Sequence, residues 1–206
     1  MSFIDRPAYR TAAPRSDFDS RALAAELIAI VGSERVLQGS EARRRYPGDM
    51  SWLTYIHAHH GRPLSCQDVV VTAKSTQEVA AILKLASRLH VPVTPAGGAS
   101  GVQGAANATC GGILLNLAEM NRIRHLDRTS LTCTVEPGMI VKTFEELLNL
   151  QGLSFTHYPA SAEWASVGGC VAARGSGVLS TKYGTGCRSA RLRSACFARC
   201  NGQSGP

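Results

Sequence analysis

Between Val93 and Ala106 the chain reads Val-Thr-Pro-Ala-Gly-Gly-Ala-Ser-Gly-Val-Gln-Gly-Ala-Ala, a run with almost no side-chain bulk set on a short apolar stretch. Such residues let successive backbone N–H groups line a concavity that accepts an anion, and glycine tolerates the positive φ angles this often needs. A diphosphate-bearing cofactor is therefore the first ligand to consider. Spacing excludes two familiar phosphate loops: Ala96 breaks a Gly pattern at i, i+2 and i+5, and no Gly-Lys-Ser/Thr follows. The loop launches no helix either, because Asn107 to Gly112 leads into the apolar run Ile113-Leu114-Leu115-Asn116-Leu117. An ordinary turn is the alternative, since Gly and Pro punctuate any loop.

A second small-residue system comprises Tyr158-Pro159-Ala160-Ser161, Ala165-Ser166-Val167-Gly168-Gly169-Cys170-Val171, Gly175-Ser176-Gly177 and Tyr183-Gly184. Two such systems suggest one extended ligand gripped at several points, against the alternative of unrelated turns. His57, His59 and His60 form the one histidine cluster, inside a stretch from Tyr46 to Pro63 that reads as loop. With no Cys or carboxylate at metal spacing they read as a solvated loop rather than a metal site. The seven cysteines are odd in number and form no matched CxxC pairs, which argues against zinc and against a secreted disulfide framework.

The elements that must position these residues follow from periodicity. Arg21 to Val31 places Leu23, Leu27, Ile28 and Ile30 at near-helical spacing. Val69-Val70-Val71 reads as a buried strand, and Ser75-Thr76-Gln77-Glu78 as a capping box opening a helix with Val79, Ile82, Leu83, Ala86 and Leu89 on one face. Val91-Pro92-Val93 begins the next strand, so strand, helix and strand follow one another as in a βαβ unit. The glycine-rich loop then sits at the carboxyl end of the second strand, where open α/β sheets bind ligands. Leu131 to Val135 is a further strand stopped by Glu136-Pro137-Gly138, and Thr143-Phe144-Glu145-Glu146 caps a second helix, with Phe144, Leu147 and Leu148 inward, that Gly152 ends.

With 206 residues, 44% of them hydrophobic and 18% charged, the chain can bury a core. No apolar run is long enough to span a membrane, and the first twenty residues lack a signal-peptide centre while carrying Asp5, Asp17 and Asp19, which favours the cytoplasm over a mitochondrial presequence. The net charge of +7 divides unevenly: all 15 acids and 18 of the basic residues precede residue 184, and the remaining +4 comes from Arg188, Arg191, Arg193 and Arg199. A tail carries the excess, so the basic balance does not argue for a nucleic-acid partner.

Taken in order, Val69-Val70-Val71 with Ser75-Thr76-x-Glu78-Val79, Val91 to Gly98, Leu117-x-x-Met120-Asn121-Arg122-Ile123, Val135-Glu136-Pro137-Gly138, Pro159-Ala160-Ser161 and Val167-Gly168-Gly169 resemble the FAD-binding domain of FAD-linked oxidases. This is the vanillyl-alcohol oxidase and p-cresol methylhydroxylase type, with D-lactate dehydrogenase and glycolate oxidase as the nearest branch and alkylglycerone-phosphate synthase beside it. The resemblance spans roughly Tyr46 to Thr185, leaving residues 1–45 as an extension and helix and residues 186–206 as a basic, cysteine-rich tail. It implies an α+β, two-lobed domain in which the loop from Ala96 through Gly97, Gly98, Ala99 and Ser100 to Gly101 wraps the pyrophosphate of FAD, with Ser100 and Gly104 extending the cradle. It further implies that Pro159, Ala160, Ser161, Ser166, Val167, Gly168 and Gly169 lie along the pyrophosphate and flavin, with Gly177 nearby.

Departures from that pattern carry expectations of their own. Ala96 and Ala99-Ser100 stand where relatives often have Arg or Gly and Gly-Thr; Ala99 also occupies the position of a flavin-tethering histidine, so FAD is expected to be non-covalent. Ala173-Arg174-Gly175-Ser176-Gly177 replaces the usual Asn-Ala-Ser-Gly and adds a cation. After Tyr183-Gly184 the run Gly186 to Cys200 has no acids and no evident strand or helix period, so it reads as a foreign tail that leaves the second lobe incomplete. In the family branch a flavin takes hydride from a carbinol carbon while a histidine and an arginine of a substrate domain handle the hydroxyl and carboxylate. No catalytic residue is named in this chain; His157 reads as a loop histidine and Trp164 as packing. The expected function is FAD-dependent oxidation of a small D-2-hydroxy acid such as D-lactate or glycolate, against ether-lipid synthesis or an inactive FAD-binding fragment.

Overall fold

The computed structural model describes residues 18–185 and three short strands at 190–191, 194–196 and 198–199. It divides into two compact units, residues 1–117 and 118–206.

The first unit opens with helix α1 (Ser20–Val31), capped by Asp19, whose Oδ1 accepts the N–H groups of Arg21 and Ala22 at 2.8 and 3.3 Å. Leu23 and Leu27 are buried as the periodicity predicts, but Ala24 and Val31 complete the buried face, and Ile28 and Ile30 are only half-buried. A turn of 3₁₀ helix (Ser33–Arg35) leads into β1 (Val36–Gln38) and α2 (Gly39–Arg45), and α3 (Trp52–His59) follows. Strands β2 (Val69–Thr72), β3 (Val93–Ala96) and β4 (Ile113–Asn116) complete a sheet of order β1-β2-β4-β3, in which β2 and β3 both run parallel to β4 and β1 is antiparallel. Helix α4 (Thr76–Arg88) is the crossover from β2 to β3, and β4 inserts between them. All four residues of β4 are buried, as a central parallel strand requires. Val70, Leu114 and Ala96 pack with Ala42 on one face of the sheet. Arg35 Nη1 donates to both carboxylate oxygens of Glu78, at 3.0 and 2.8 Å, and so ties the first turn of α4 to the turn before β1.

The second unit contains an antiparallel sheet in which β5 (Ile123–Asp127) and β6 (Thr132–Val135) pair, and β9 (Ser194–Cys196) and β8 (Ala190–Arg191) extend the far side of β6. Beside them stand α5 (Val141–Asn149), β7 (Leu153–Ser154) paired with β10 (Ala198–Arg199), α6 (Val167–Ala172) and α7 (Ser180–Tyr183). Phe144 and Phe155, both fully buried, meet edge to face at 5.0 Å in a core shared with Leu148, Leu153, Val141 and Cys133.

Several expectations need correction. The stretch from Tyr46 to Pro63 is not all loop: α3 starts at its cap Ser51, and its inward residues Thr54 and His57 are polar, so no apolar period marks it. His57 is buried while His59 is exposed, and the histidines do not share one solvated surface. In α4 the buried face is Ile82, Leu85 and Ala86, with Leu83 at 46% exposure. Thr143 does not cap α5. The helix begins at Val141, and the N–H groups of Val141 and Lys142 donate to the carbonyls of Ala165 and Ala162, so tertiary backbone contacts satisfy the first turn. Leu147 points outward. The run after Gly186 contains strands: β9 adds to the open edge of β6, where main-chain groups pair without any side-chain pattern. No described helix is long and apolar enough to cross a membrane.

Candidate cofactor-binding site

The first glycine-rich segment leaves the sheet at the carboxyl end of β3. Ala96 is the last residue of that strand; its carbonyl takes the Leu117 N–H at 2.8 Å, which locks β3 to the end of β4. Gly97, Gly98, Ala99 and Ser100 then form a half-buried bend, with Ala99 in the left-handed region at φ 49° and Gly104 at φ 84°. No N–H from Gly97 to Ala106 donates to a protein acceptor among the described residues. Gly97 to Ser100 are half-buried, where amides without partners are costly unless something else supplies an acceptor, and a run of open amides is the donor set a diphosphate needs. No Cys, His or Tyr lies between Ala96 and Gly104 that could tether a flavin.

The bend is held from behind by a segment that no sequence pattern marks. Met50 N–H donates to the Gly101 carbonyl at 2.8 Å, and Asn107 N–H to that of Gly104 at 3.2 Å. The Asn107 side chain then closes a buried polar knot. Its Oδ1 accepts the Asp49 N–H at 3.0 Å, and its Nδ2 donates to Asp49 Oδ1 at 3.0 Å and Thr54 Oγ1 at 3.1 Å. Asp49 Oδ1 also takes the Ser51 N–H at 3.1 Å and the Thr54 hydroxyl at 3.2 Å. Gly48, at φ 124°, leaves room for this approach, since a Cβ there would lie 2.0 Å from Asn107 Oδ1. Asp49 and Asn107 were missed because contacts between residues far apart in sequence leave no periodic trace. Gly48 beside Asp49, and Asn107 three residues after Gly104, are the available signals.

The second segment, in the other unit, is differently employed. Pro159 to Ser161 form a turn whose carbonyls at Pro159 and Ser161 accept from Ala162, Trp164 and Ala165, while the N–H groups of Ala160 and Ser161 have no protein acceptor among the described residues. Ser166 caps α6, its Oγ taking the Gly169 N–H at 3.2 Å. The N–H groups of Val167 and Gly168 donate to the carbonyls of Met139 and Pro137. Gly168 is required by packing, because a Cβ would stand 2.6 Å from Pro137 Cβ; at Gly177 a Cβ would meet the Tyr158 carbonyl oxygen at 2.4 Å. In this unit Gly177 therefore lies against the irregular segment at Tyr158 that leads into Pro159. A concavity of about 420 Å³ nearby is lined by Glu145, Glu146, Lys142 and Tyr158 among others. No candidate site residue borders it, and its paired carboxylates suit an anion poorly.

His157 is 1% exposed, and neither ring nitrogen has a hydrogen-bond partner among the described residues. It packs edge to face on Phe155 at 5.8 Å, and burial holds its pKa below the ordinary 6.5. The imidazole is thus neutral in the fold and takes up its proton on unfolding. Its contribution to stability is intact above about pH 6.5 and is lost as the pH falls through that value toward the lowered folded pKa. Chemical denaturation at about pH 7.5 and about pH 5 is expected to show His157→Leu losing less stability on acidification than wild type. Equal losses would contradict this.

Residues 67–199 match the family model described as "FAD binding domain". The D-lactate dehydrogenase of Anaerostipes hadrus is 32% identical over 154 residues, which is 75% of this chain and 30% of that protein. Among solved structures, an alkyldihydroxyacetonephosphate synthase superimposes with a TM-score of 0.75 at 26% identity, covering 87% of this chain and 33% of its own. A p-cresol methylhydroxylase, at 19% identity and a TM-score of 0.65 over 79% of this chain and 31% of its own, shows the same fold. The chain spans about a third of the length of these proteins. With a run of unengaged amides at a strand's carboxyl end and a family match over most of its length, the chain belongs to the FAD-binding domain family.

Proposed function

We propose that this chain holds FAD non-covalently, with the backbone N–H groups of Gly97 to Gly104 on its diphosphate, as part of an oxidoreductase acting on a small 2-hydroxy acid such as D-lactate or glycolate. The observation that carries the reading is the set of amides from Gly97 to Ala106 that meet no protein acceptor among the described residues, those of Gly97 to Ser100 half-buried, on a bend fixed by Met50 and Asn107. Ala96 anchors the bend, and Gly98, Ala99, Ser100 and Gly101 complete it. In the second unit the turn of Pro159, Ala160 and Ser161 offers two further open amides, at Ala160 and Ser161, whereas Ser166, Val167, Gly168, Gly169 and Gly177 act mainly by shaping the backbone of that unit. Bound FAD supplies hydride acceptance at the flavin; this chain's residues bind and orient the cofactor.

The substrate class rests on the likeness to D-lactate dehydrogenase. A second reading, ether-lipid synthesis, is favoured by the superposition on alkyldihydroxyacetonephosphate synthase. Flavin fluorescence quenching on titration with FAD tests the cofactor, and anaerobic bleaching of the bound flavin tests the substrate. Quenching that saturates near one equivalent is expected of this chain, and bleaching by D-lactate or glycolate of a protein in which a substrate domain accompanies it. Saturable FAD binding with ether-lipid formation and no bleaching would favour the second reading, and absence of FAD uptake would contradict both.

A further inference from the structure

The polar knot behind the bend leaves one atom unexplained. Asp49 is 4% exposed, and its Oδ1 accepts from Ser51, Thr54 and Asn107. Its other oxygen, Oδ2, is buried without a hydrogen-bond partner among the described residues. A carboxylate oxygen is a strong acceptor, and leaving it dry and unpaired costs more than most buried groups. Three donors on one oxygen and none on the other is not what a purely structural carboxylate achieves. Nor is Oδ2 sealed behind bulk: the residue in front of it is Gly101, in the middle of the bend, where a Cβ would sit 3.6 Å from Oδ2.

Resting on the reading that the bend holds the diphosphate of FAD, we infer that Asp49 Oδ2 accepts a hydrogen bond from a sugar hydroxyl of the bound dinucleotide. The chemistry selects this donor. A carboxylate facing the phosphates themselves would repel them, whereas on either side of the FAD diphosphate the next polar groups are hydroxyls, of the adenosine ribose or of the ribityl chain. Hydroxyls donate, and in dinucleotide sites of the Rossmann fold an acidic side chain accepts such a hydrogen bond from a ribose hydroxyl. Gly101 lets the sugar approach because it places no side chain between the ligand and the oxygen.

Asp49→Asn tests this with a sign that a scaffold role cannot produce. Its side-chain oxygen keeps the three bonds now made by Oδ1, and its amide replaces the waiting acceptor. If Asp49 only braces the bend, removing a negative charge beside a diphosphate leaves FAD binding unchanged or tighter. If Oδ2 accepts a hydrogen bond from a sugar hydroxyl, Asp49→Asn binds FAD about tenfold more weakly, as expected for loss of one hydrogen bond to a charged group. Gly101→Ala is the second probe. Gly101 does not have a positive φ and the added methyl makes only ordinary contact, so the fold is kept while the approach to Oδ2 is blocked; weaker FAD binding is again expected.

Dissociation constants for FAD and for FAD analogues lacking a hydroxyl of the ribose or of the ribityl chain complete a double-mutant cycle. The analogue missing the bonded hydroxyl should lose affinity for wild type and little more for Asp49→Asn, and which analogue does so identifies the sugar. Unchanged or tighter FAD binding by Asp49→Asn, unchanged binding by Gly101→Ala, or additive losses with every analogue overturns the inference while leaving the cofactor assignment standing. Failure of wild type to bind FAD overturns both. Should Asp49→Asn not fold, Gly101→Ala with the analogue series decides.

Discussion

Gly98→Asp is expected to weaken FAD binding by about a hundredfold or more, with little change in the melting of the protein without FAD. Gly98 is half-buried in the bend and has no positive φ, so a side chain there is conformationally admissible. What it changes is charge. Two unit charges about 5 Å apart at an effective dielectric of about 20 repel by roughly 3 kcal/mol, which corresponds to about two orders of magnitude in affinity. Gly98→Asn, nearly the same shape without the charge, should retain most of the affinity, and its comparison with Gly98→Asp by flavin fluorescence isolates the electrostatic part. Equal losses for the two would mean that steric filling, not an anion, governs the bend.

Gly168→Val should act in the opposite way, on the fold of the second unit rather than on the cofactor directly. Its Cβ would be forced to 2.6 Å from Pro137 Cβ and 2.8 Å from the Pro137 carbonyl, and the Gly168 N–H that bonds that carbonyl would be displaced. Overpacking of this kind costs about 1–3 kcal/mol, and loss of the buried hydrogen bond adds about 1 kcal/mol or more. For a unit of this size each kcal/mol lowers the melting temperature by about 4–8 °C. A fall of at least about 10 °C is therefore expected in a calorimetric scan. A variant that melts like wild type but no longer takes up FAD would show that this glycine serves the ligand instead.

These two substitutions also mark what the sequence could and could not disclose. The supporting βαβ order was legible because Val69 to Val71 form an uninterrupted apolar strand and because Ser75 does cap α4, its Oγ taking the Glu78 N–H at 3.2 Å. The position of the bend at the end of β3 followed directly. Glu78, by contrast, does not close the capping box on Ser75; it receives the Lys74 N–H and binds Arg35, a partner 43 residues away that no local pattern announces. The same reason hid Asp49 and Asn107, whose contact crosses 58 residues. Helix α6 was hidden for another: Val-Gly-Gly-Cys-Val-Ala has poor helix propensity, and Ser166 together with the closeness of Pro137 overrides it. Composition alone likewise could not separate the two glycine-rich systems. Only the backbone bonding shows that one leaves its amides open while the other spends most of them on its own fold.

The most direct test is the amide NMR spectrum of the bend. On addition of FAD, the ¹H–¹⁵N signals of Gly97, Gly98, Ala99, Ser100, Gly101 and Gly104 should shift together and saturate with the quenching of flavin fluorescence. FAD that binds, by that fluorescence, while those signals stay in place would show that the bend does not hold the diphosphate.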